Sequence, residues 1–96
     1  MIEVVITKNR VCLQGHAGYA ELGKDIVCAA ASVLWYAVTE KLEKDKVDFR
    51  MYEESGYAEL VIQKPNDTTE TVLDTMKCGI KLLEENYPGK IFLKKY

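Results

Sequence analysis

The stretch GHAGYAELGKDIVCAAAS, residues 15–32, decides how this chain of 96 residues is organised. Its first half is short and broken by glycines, so it predicts a loop and not a helix. The alanine-rich, apolar run over residues 26–43 that follows predicts a largely buried helix. Asp25 stands directly before this run, where a short carboxylate accepts a hydrogen bond from a free first-turn amide. We therefore expect Asp25 to be the N-cap and Cys28 to lie at position N3, in the first turn.

Cys28 and the single histidine of the chain, His16, flank this loop and have the chemistry of a nucleophile and a base. Free amides and the macrodipole at a helix start favour negative charge, and therefore the thiolate form of a cysteine held there. The same amides can stabilise the oxyanion that develops when a carbonyl is attacked. An imidazole brought close by folding can accept the thiol proton and later protonate a leaving group. Ser32, four residues after Cys28, is predicted on the same helix face.

The same residues also have plainer interpretations. A cysteine in an alanine-rich helix is most often a small buried hydrophobic residue, and a lone histidine after a strand is most often structural or exposed. A zinc site is disfavoured, because Cys12, His16 and Cys28 contain no CxxC pair and a closed site needs four ligands. Residue chemistry alone therefore leaves a catalytic pair and a structural pair both open.

The stretch GHAGYAELGKDIVCAAAS closely resembles the signature of the ribosomal-processing cysteine protease family, Prp. The resemblance implies that His16 and Cys28 are the catalytic pair and that they are supported by Gly15, Asp25 and Ser32. It extends over essentially the whole chain, through the segment GIKLLEENYP near the end of a second helix and a short final strand.

The loop over residues 17–24 has two interpretations. As a structural element it is a surface connection between a strand and a helix. As a functional element, its glycines Gly18 and Gly23 let it close over a substrate and exclude water. The resemblance favours the second interpretation, because this segment is part of the signature. Tyr19 is then the expected contact with a substrate side chain.

Composition and charge indicate a single soluble globular domain, residues 1–96, with 48% hydrophobic and 29% charged residues. The net charge of −2 argues against a protein that mainly binds nucleic acid directly. Three cysteines at irregular spacing do not form a disulfide framework. No apolar run approaches the roughly 20 residues of a membrane span, and we see no leader sequence. We therefore expect a cytoplasmic protein with reduced thiols and no membrane partner.

Periodicity along the rest of the chain predicts the order ββαββαβ. Strands are expected over residues 2–7, 11–16, 47–55, 57–63 and in KIFLK, and the second helix is expected to begin with a capping box of Asp67 and Glu70. In the second strand Val11 and Leu13 form the core face, so His16 is expected to project away from it, together with Cys12. Hairpin strands and two amphipathic helices predict an α+β, two-layer fold with a mostly antiparallel sheet. The resemblance implies the same fold and a homodimer.

The resemblance also implies a function, that of a cysteine endopeptidase that removes the N-terminal extension of the twenty-seventh protein of the large ribosomal subunit. Cys28 would attack the scissile carbonyl, His16 would act as general base and acid, and first-turn amides would hold the oxyanion. Asp25 would cap the helix or orient His16, two roles that the sequence does not separate. No metal or organic cofactor is required, and an apolar groove near Tyr19 and Trp35 is expected for an aromatic substrate segment. One alternative is a non-catalytic ribosome-associated binding module, in which Cys28 only packs the helix start. Another is a thiol enzyme with an unrelated protein substrate.

Overall fold

The computed structural model describes residues 1–18, 20–21 and 25–94, and these form five strands and two helices in the order ββαββαβ. The elements are β1 (Ile2–Ile6), β2 (Arg10–Gln14), α1 (Ile26–Lys44), β3 (Phe49–Glu54), β4 (Tyr57–Ile62), α2 (Asp67–Asn86) and β5 (Ile91–Leu93). The strands lie in one sheet in the order β3-β4-β2-β1-β5. Neighbouring strands are antiparallel except β1 and β5, which are parallel. The predicted α+β fold with a mostly antiparallel sheet is confirmed.

One face of the sheet carries the hydrophobic core. The buried strand residues that pack with both helices in a single cluster are Ile2, Val4, Val11, Leu13, Leu60, Ile62, Ile91 and Leu93. They occupy alternate positions along each strand, so they all point to one side of the sheet. Both helices therefore lie on that side, and the molecule has the two layers that the sequence predicts.

Helix α1 faces the sheet with residues spaced three or four apart, including Val27, Ala31, Val38 and Leu42, all of which are buried. The same spacing also includes Leu34. In the structure Leu34 is half-buried and packs on α2, where a Cβ at Gly79 would approach its side chain to 2.7 Å. The small residue at this point of α2 lets the two helices lie close together.

Helix α2 begins one residue earlier than the capping pattern predicted. Asn66 is the N-cap: its side chain accepts a hydrogen bond from the Thr69 amide at 2.9 Å, and the Thr69 hydroxyl accepts one from the Asn66 amide at 2.8 Å. The predicted box of Asp67 and Glu70 was wrong, because Asn66 already offers a short side-chain acceptor in the extended conformation that a cap requires. Asp67 and Glu70 instead lie in the first turn of the helix.

In the part of the chain that the structure describes, neither helix is long and apolar enough to cross a membrane.

Candidate active site

A cavity of about 290 Å³ lies between the end of β2, the first half of α1 and the β3–β4 hairpin. His16 and Cys28 both line it, together with Ser32 one helical turn beyond the cysteine. The imidazole is exposed and the thiol is half-buried. The structure thus brings the two predicted catalytic residues into one solvent-accessible cavity.

His16 reaches this cavity because strand β2 ends before it. The strand stops at Gln14, and Gly15 has a φ of +101°, which turns the chain toward the helix side of the sheet. The imidazole therefore shares a cavity with Leu13, a residue of the core face. The prediction that His16 projects away from the core face was wrong, because strand alternation does not continue through a left-handed glycine.

Two glycines make room for this arrangement. A Cβ at Gly15 would overlap the carbonyl oxygen of Met1, and a Cβ at Gly56 would lie 2.9 Å from Nε2 of His16. The Gly15 amide also donates a hydrogen bond to the Gly56 carbonyl oxygen at 2.8 Å. The β3–β4 turn is therefore tied to the end of β2, and the imidazole of His16 packs directly on Gly56.

Asp25 is the N-cap of α1, as predicted, and it organises the residues around Cys28. Its Oδ1 accepts hydrogen bonds from the amides of Val27 at 2.9 Å and Cys28 at 3.0 Å, and its Oδ2 accepts one from the amide of Ala20 at 3.3 Å. The carboxylate is buried. It thus joins the preceding loop to the helix start and places Cys28 at N3.

This cap has a consequence for the predicted oxyanion site. The amides of Val27 and Cys28 already donate to Asp25, and the Ala29 amide donates to the Asp25 carbonyl oxygen at 3.0 Å. The two amides that donate to the cap, and the Ala29 amide that donates within the helix, are thus directed at acceptors other than an incoming oxyanion, so the expected oxyanion site at the first turn stays a prediction.

The sulfur of Cys28 instead accepts a hydrogen bond from the loop, from the amide of Ala17 at 3.4 Å. Ala17 is buried, and its side chain belongs to the hydrophobic core. Among the described residues, the imidazole of His16 forms no hydrogen bond with the sulfur. The sulfur of Cys28 is therefore held by a backbone donor one residue after the histidine.

The opposite wall of the cavity is formed by Trp35, which the sequence places near the expected groove, and by hairpin residues that the sequence did not single out. Trp35 of α1 donates a hydrogen bond from Nε1 to Oε1 of Glu53 at 2.5 Å, which joins the helix to the edge strand β3. Trp35 is buried in the core and also lines the cavity. Glu54 and Tyr57 also line the cavity. The hairpin pattern predicted their strands, but no sequence signal related them to His16 or Cys28.

Tyr57 also contacts the opposite face of the sheet, where Cys12 lies. A hydrogen bond with Cys12 raises the pKa of Tyr57 above its usual value of 10.0, and burial raises it further. Cys12 itself is buried. All three cysteines, Cys12, Cys28 and Cys78, are free thiols.

The predicted substrate loop is described only in part. Gly18 has a φ of +68° and is exposed, and its carbonyl oxygen accepts a hydrogen bond from Nζ of Lys90 at 3.3 Å. Gly18 is not among the residues that line the cavity. Tyr19 and Gly23 lie outside the described residues. Within residues 1–18, 20–21 and 25–94, no group of three or more His, Cys, Asp or Glu side chains is placed to hold a metal ion.

The chain matches the model of the cysteine protease Prp family over residues 1–92. It is 30% identical over 95 residues to the ribosomal processing cysteine protease Prp of Mycoplasma genitalium, an alignment that covers 99% of this chain and 96% of that protein. It is 31% identical over 103 residues to the protein of the same name from Staphylococcus aureus, with 97% of each chain covered.

Solved structures agree with these sequence relationships. The fold is similar to that of the Staphylococcus aureus Prp in complex with a covalently linked product peptide, with a TM-score of 0.85, 24% identity, and 97% and 95% of the two chains covered. It is also similar to a Streptococcus mutans protein, with a TM-score of 0.76, 29% identity, and 98% and 92% covered. Both the sequence and the structural alignments run almost end to end, so they relate whole chains. This protein is therefore a cysteine protease and belongs to the Prp family.

Proposed function

We propose that this chain is a single-domain cytoplasmic endopeptidase, residues 1–96, that removes the N-terminal extension of the twenty-seventh protein of the large ribosomal subunit. The relatives named above are called ribosomal processing proteases, which supports a ribosomal protein precursor as the substrate. The observation that carries the proposal is the shared cavity of His16 and Cys28. These residues are separated by a loop in sequence and are the ones that the family resemblance implies for catalysis.

In the proposed reaction His16 accepts the proton of the Cys28 thiol, and the thiolate attacks the scissile carbonyl carbon. The carbonyl electron pair moves to its oxygen and returns when the peptide C–N bond breaks. His16 then protonates the leaving amine. Water, deprotonated by His16, hydrolyses the thioester and releases Cys28. The absence of a direct bond between His16 and Cys28 is compatible with these steps, because catalytic hydrogen bonds often tighten only when substrate binds.

The surrounding residues have supporting roles in this proposal. Asp25 holds the Cys28 amide through the cap, and Gly15 turns His16 into the cavity. Ser32 lies on the cavity wall one turn from Cys28. Gly18, Tyr19 and Gly23 belong to the proposed substrate loop.

The apolar part of the cavity suits an aromatic substrate segment before the cut. Leu13, Ala31 and Trp35 contribute apolar surface there, next to Cys28. The chemistry uses a thiol, an imidazole and water, so we propose no metal or organic cofactor. We also propose a homodimer without direct nucleic-acid or membrane contacts. The edge strand β3, which has one unpaired side, is available for association of two copies.

The test is cleavage of the extended ribosomal precursor, followed by intact mass. We expect the wild type to remove one defined N-terminal segment, and the Cys28→Ala and His16→Ala variants to leave the precursor whole while remaining folded. Cys78→Ala is the matched control, because Cys78 is exposed on α2 and does not line the cavity. It should cleave like the wild type.

Two other outcomes would contradict the proposal. If the wild type binds the precursor without cutting it, and Cys28→Ala binds equally well, the protein is acting as a binding module. If the wild type cuts other proteins but not the precursor, it is a thiol protease with a different substrate.

A further inference from the structure

The amides at the start of α1 near Cys28 are already engaged by acceptors within the chain. The amides of Val27 and Cys28 are directed at Oδ1 of Asp25, at 2.9 and 3.0 Å. The next amide, that of Ala29, donates within the helix to the carbonyl oxygen of Asp25. These three N–H groups have acceptors already, so a donor outside this set is needed if the sulfur and the oxygen of an attacked carbonyl are to be served without breaking the cap.

The amide of Ala17 is a donor directed at the reactive atom itself. Its N–H points to Sγ of Cys28, with 3.4 Å between nitrogen and sulfur. A hydrogen bond to a charged acceptor is stronger than one to a neutral acceptor, so this contact favours the thiolate over the thiol. Because the bond comes from the backbone, it is independent of the side chain at this position.

The segment that carries this amide is held at both ends. On one side, the Gly15 amide donates to the carbonyl oxygen of Gly56 at 2.8 Å, and Gly15 packs against the Met1 carbonyl so closely that no Cβ fits. On the other side, the Ala17 side chain is 2% exposed and lies in the hydrophobic core. The donor is therefore preorganised and is not a mobile loop amide that meets the sulfur by chance.

The same donor is suitably placed for the next step of the reaction. When the thiolate attacks, the new C–S bond brings the carbonyl carbon to the sulfur, and the negative charge moves to an oxygen bonded to that carbon. An N–H directed at the sulfur lies beside the position of this oxygen. As the charge leaves the sulfur, the hydrogen bond can pass from the sulfur to the oxyanion.

We infer that the backbone amide of Ala17 is a catalytic group of this protease, which stabilises first the Cys28 thiolate and then the oxyanion formed on the substrate. This inference rests on the proposed function, because it takes Cys28 as the nucleophile. It assigns the oxyanion donor to the loop that follows His16, in place of the first turn of α1.

The experiment replaces the N–H of Ala17 by an ester oxygen, which keeps the methyl group and removes only the donor. The chain can be assembled from synthetic segments at its cysteines. Ala17→Gly is the matched side-chain control, because it retains the N–H and loses the methyl. An amide-to-ester change at Ala20 is the backbone control in the same loop, since that amide donates to Asp25 and not to the sulfur.

Two rates are measured for each folded protein: cleavage of the ribosomal precursor, and alkylation of Cys28 by iodoacetamide at pH 6 to 8, with exposed Cys78 as internal reference. We expect the Ala17 ester to lower kcat by a factor on the order of 10² with little change in KM, as for other single oxyanion donors. Alkylation of Cys28 should slow by about tenfold at the acidic end of the range, and alkylation of Cys78 should not change. Both controls should lose clearly less kcat than the Ala17 ester.

A merely structural role for the amide would lower stability without changing the pH dependence of Cys28 alkylation. The inference is overturned if the Ala17 ester cleaves the precursor, and is alkylated at Cys28, at rates within threefold of those of the wild type. It is also overturned if the Ala20 ester loses as much activity as the Ala17 ester. A wild type that does not cleave contradicts the proposed function and the oxyanion role together, and the alkylation rates then still decide the thiolate role.

Discussion

At the scale of single residues, the geometry of the site depends on two glycines, which have no side chain. Gly56 lies under the imidazole of His16 because it has no Cβ and a φ of +75°. Gly15 brings His16 to the helix side of the sheet for a related reason, because its φ of +101° is strained for any residue with a side chain. The position of the His16 imidazole is therefore determined by two glycines at least as much as by the histidine itself.

Gly56→Ala tests whether the position of the His16 imidazole affects activity independently of protein stability. The added Cβ would lie 2.9 Å from Nε2, so the imidazole must move, and a displacement of this kind costs about 10²-fold in kcat. Gly89→Ala is the control: its φ of +79° imposes the same backbone strain, but nothing lies within 4 Å of its Cβ. In both variants the free energy of unfolding, measured with urea, should fall by about 1 kcal/mol. Only Gly56→Ala should also cleave the precursor more slowly. Equal activities of the two variants would show that the packing of His16 on Gly56 is unimportant.

At the scale of secondary-structure elements, each helix start shows how a local pattern competes with its neighbours. Asp25 caps α1 as the sequence predicts, because no other short polar side chain precedes the apolar run closely. For α2 the segment NDTTE contains several possible caps, and Asn66 is the one that adopts the extended conformation. Element types were therefore predictable from the pattern, whereas the exact start of α2 depended on which competing side chain reached a free amide.

Asp25→Ala should lower the free energy of unfolding by about 1–2 kcal/mol, because the buried carboxylate satisfies two first-turn amides. Asp67→Ala is the matched control on α2, where the aspartate lies in the first turn but is not the cap, and should cost less than about 0.5 kcal/mol. Urea unfolding measures both. Equal decreases in the free energy of unfolding for the two variants would contradict the assignment of the N-caps.

Asp25→Asn then distinguishes the capping role of the Asp25 side chain from any role of its negative charge. The amide side chain keeps one oxygen acceptor for the helix and loses the negative charge. If Asp25 acts mainly through the cap, Asp25→Asn should retain most of the stability that Asp25→Ala loses, with cleavage within about tenfold of the wild type. A stable Asp25→Asn variant without activity would instead indicate that the charge acts on the reaction.

The contact between Trp35 and Glu53 joins α1 to the edge strand β3 across the cavity. A double-mutant cycle of Trp35→Phe and Glu53→Ala should give a coupling free energy of about 1 kcal/mol, since the indole is buried but the glutamate is exposed. Tyr52→Phe removes a hydrogen bond to Glu54 between exposed side chains and should change stability by less than about 0.5 kcal/mol. A coupling near zero would mean that the contact does not hold the cavity wall in place.

At the scale of the whole molecule, one core supports both the helices and the walls of the site. Ile80 is fully buried in this core, so Ile80→Ala should lower the free energy of unfolding by about 2–5 kcal/mol. Cys78→Ala, two residues earlier on the exposed side of α2, should change it by less than about 0.5 kcal/mol. Urea unfolding at one temperature compares them. A small loss for Ile80→Ala would contradict the single packed core.

The sequence by itself determined the fold class, the order of the elements, the N-cap Asp25 and the pairing of His16 with Cys28 as the residues to examine. These depend on local patterns, on periodicity of apolar residues and on a long signature, all of which are present in the linear chain. Only the tertiary structure decided which face His16 occupies, which donor reaches the sulfur and which hairpin closes the cavity. Three features decide these points: the left-handed turn at Gly15, the hydrogen bonds of the helix amides to Asp25, and the approach of Gly56 and Glu53 to the site. Each depends on how different parts of the chain pack together. No residue pattern within one segment records such contacts, because each depends on the position of a partner far away in the sequence.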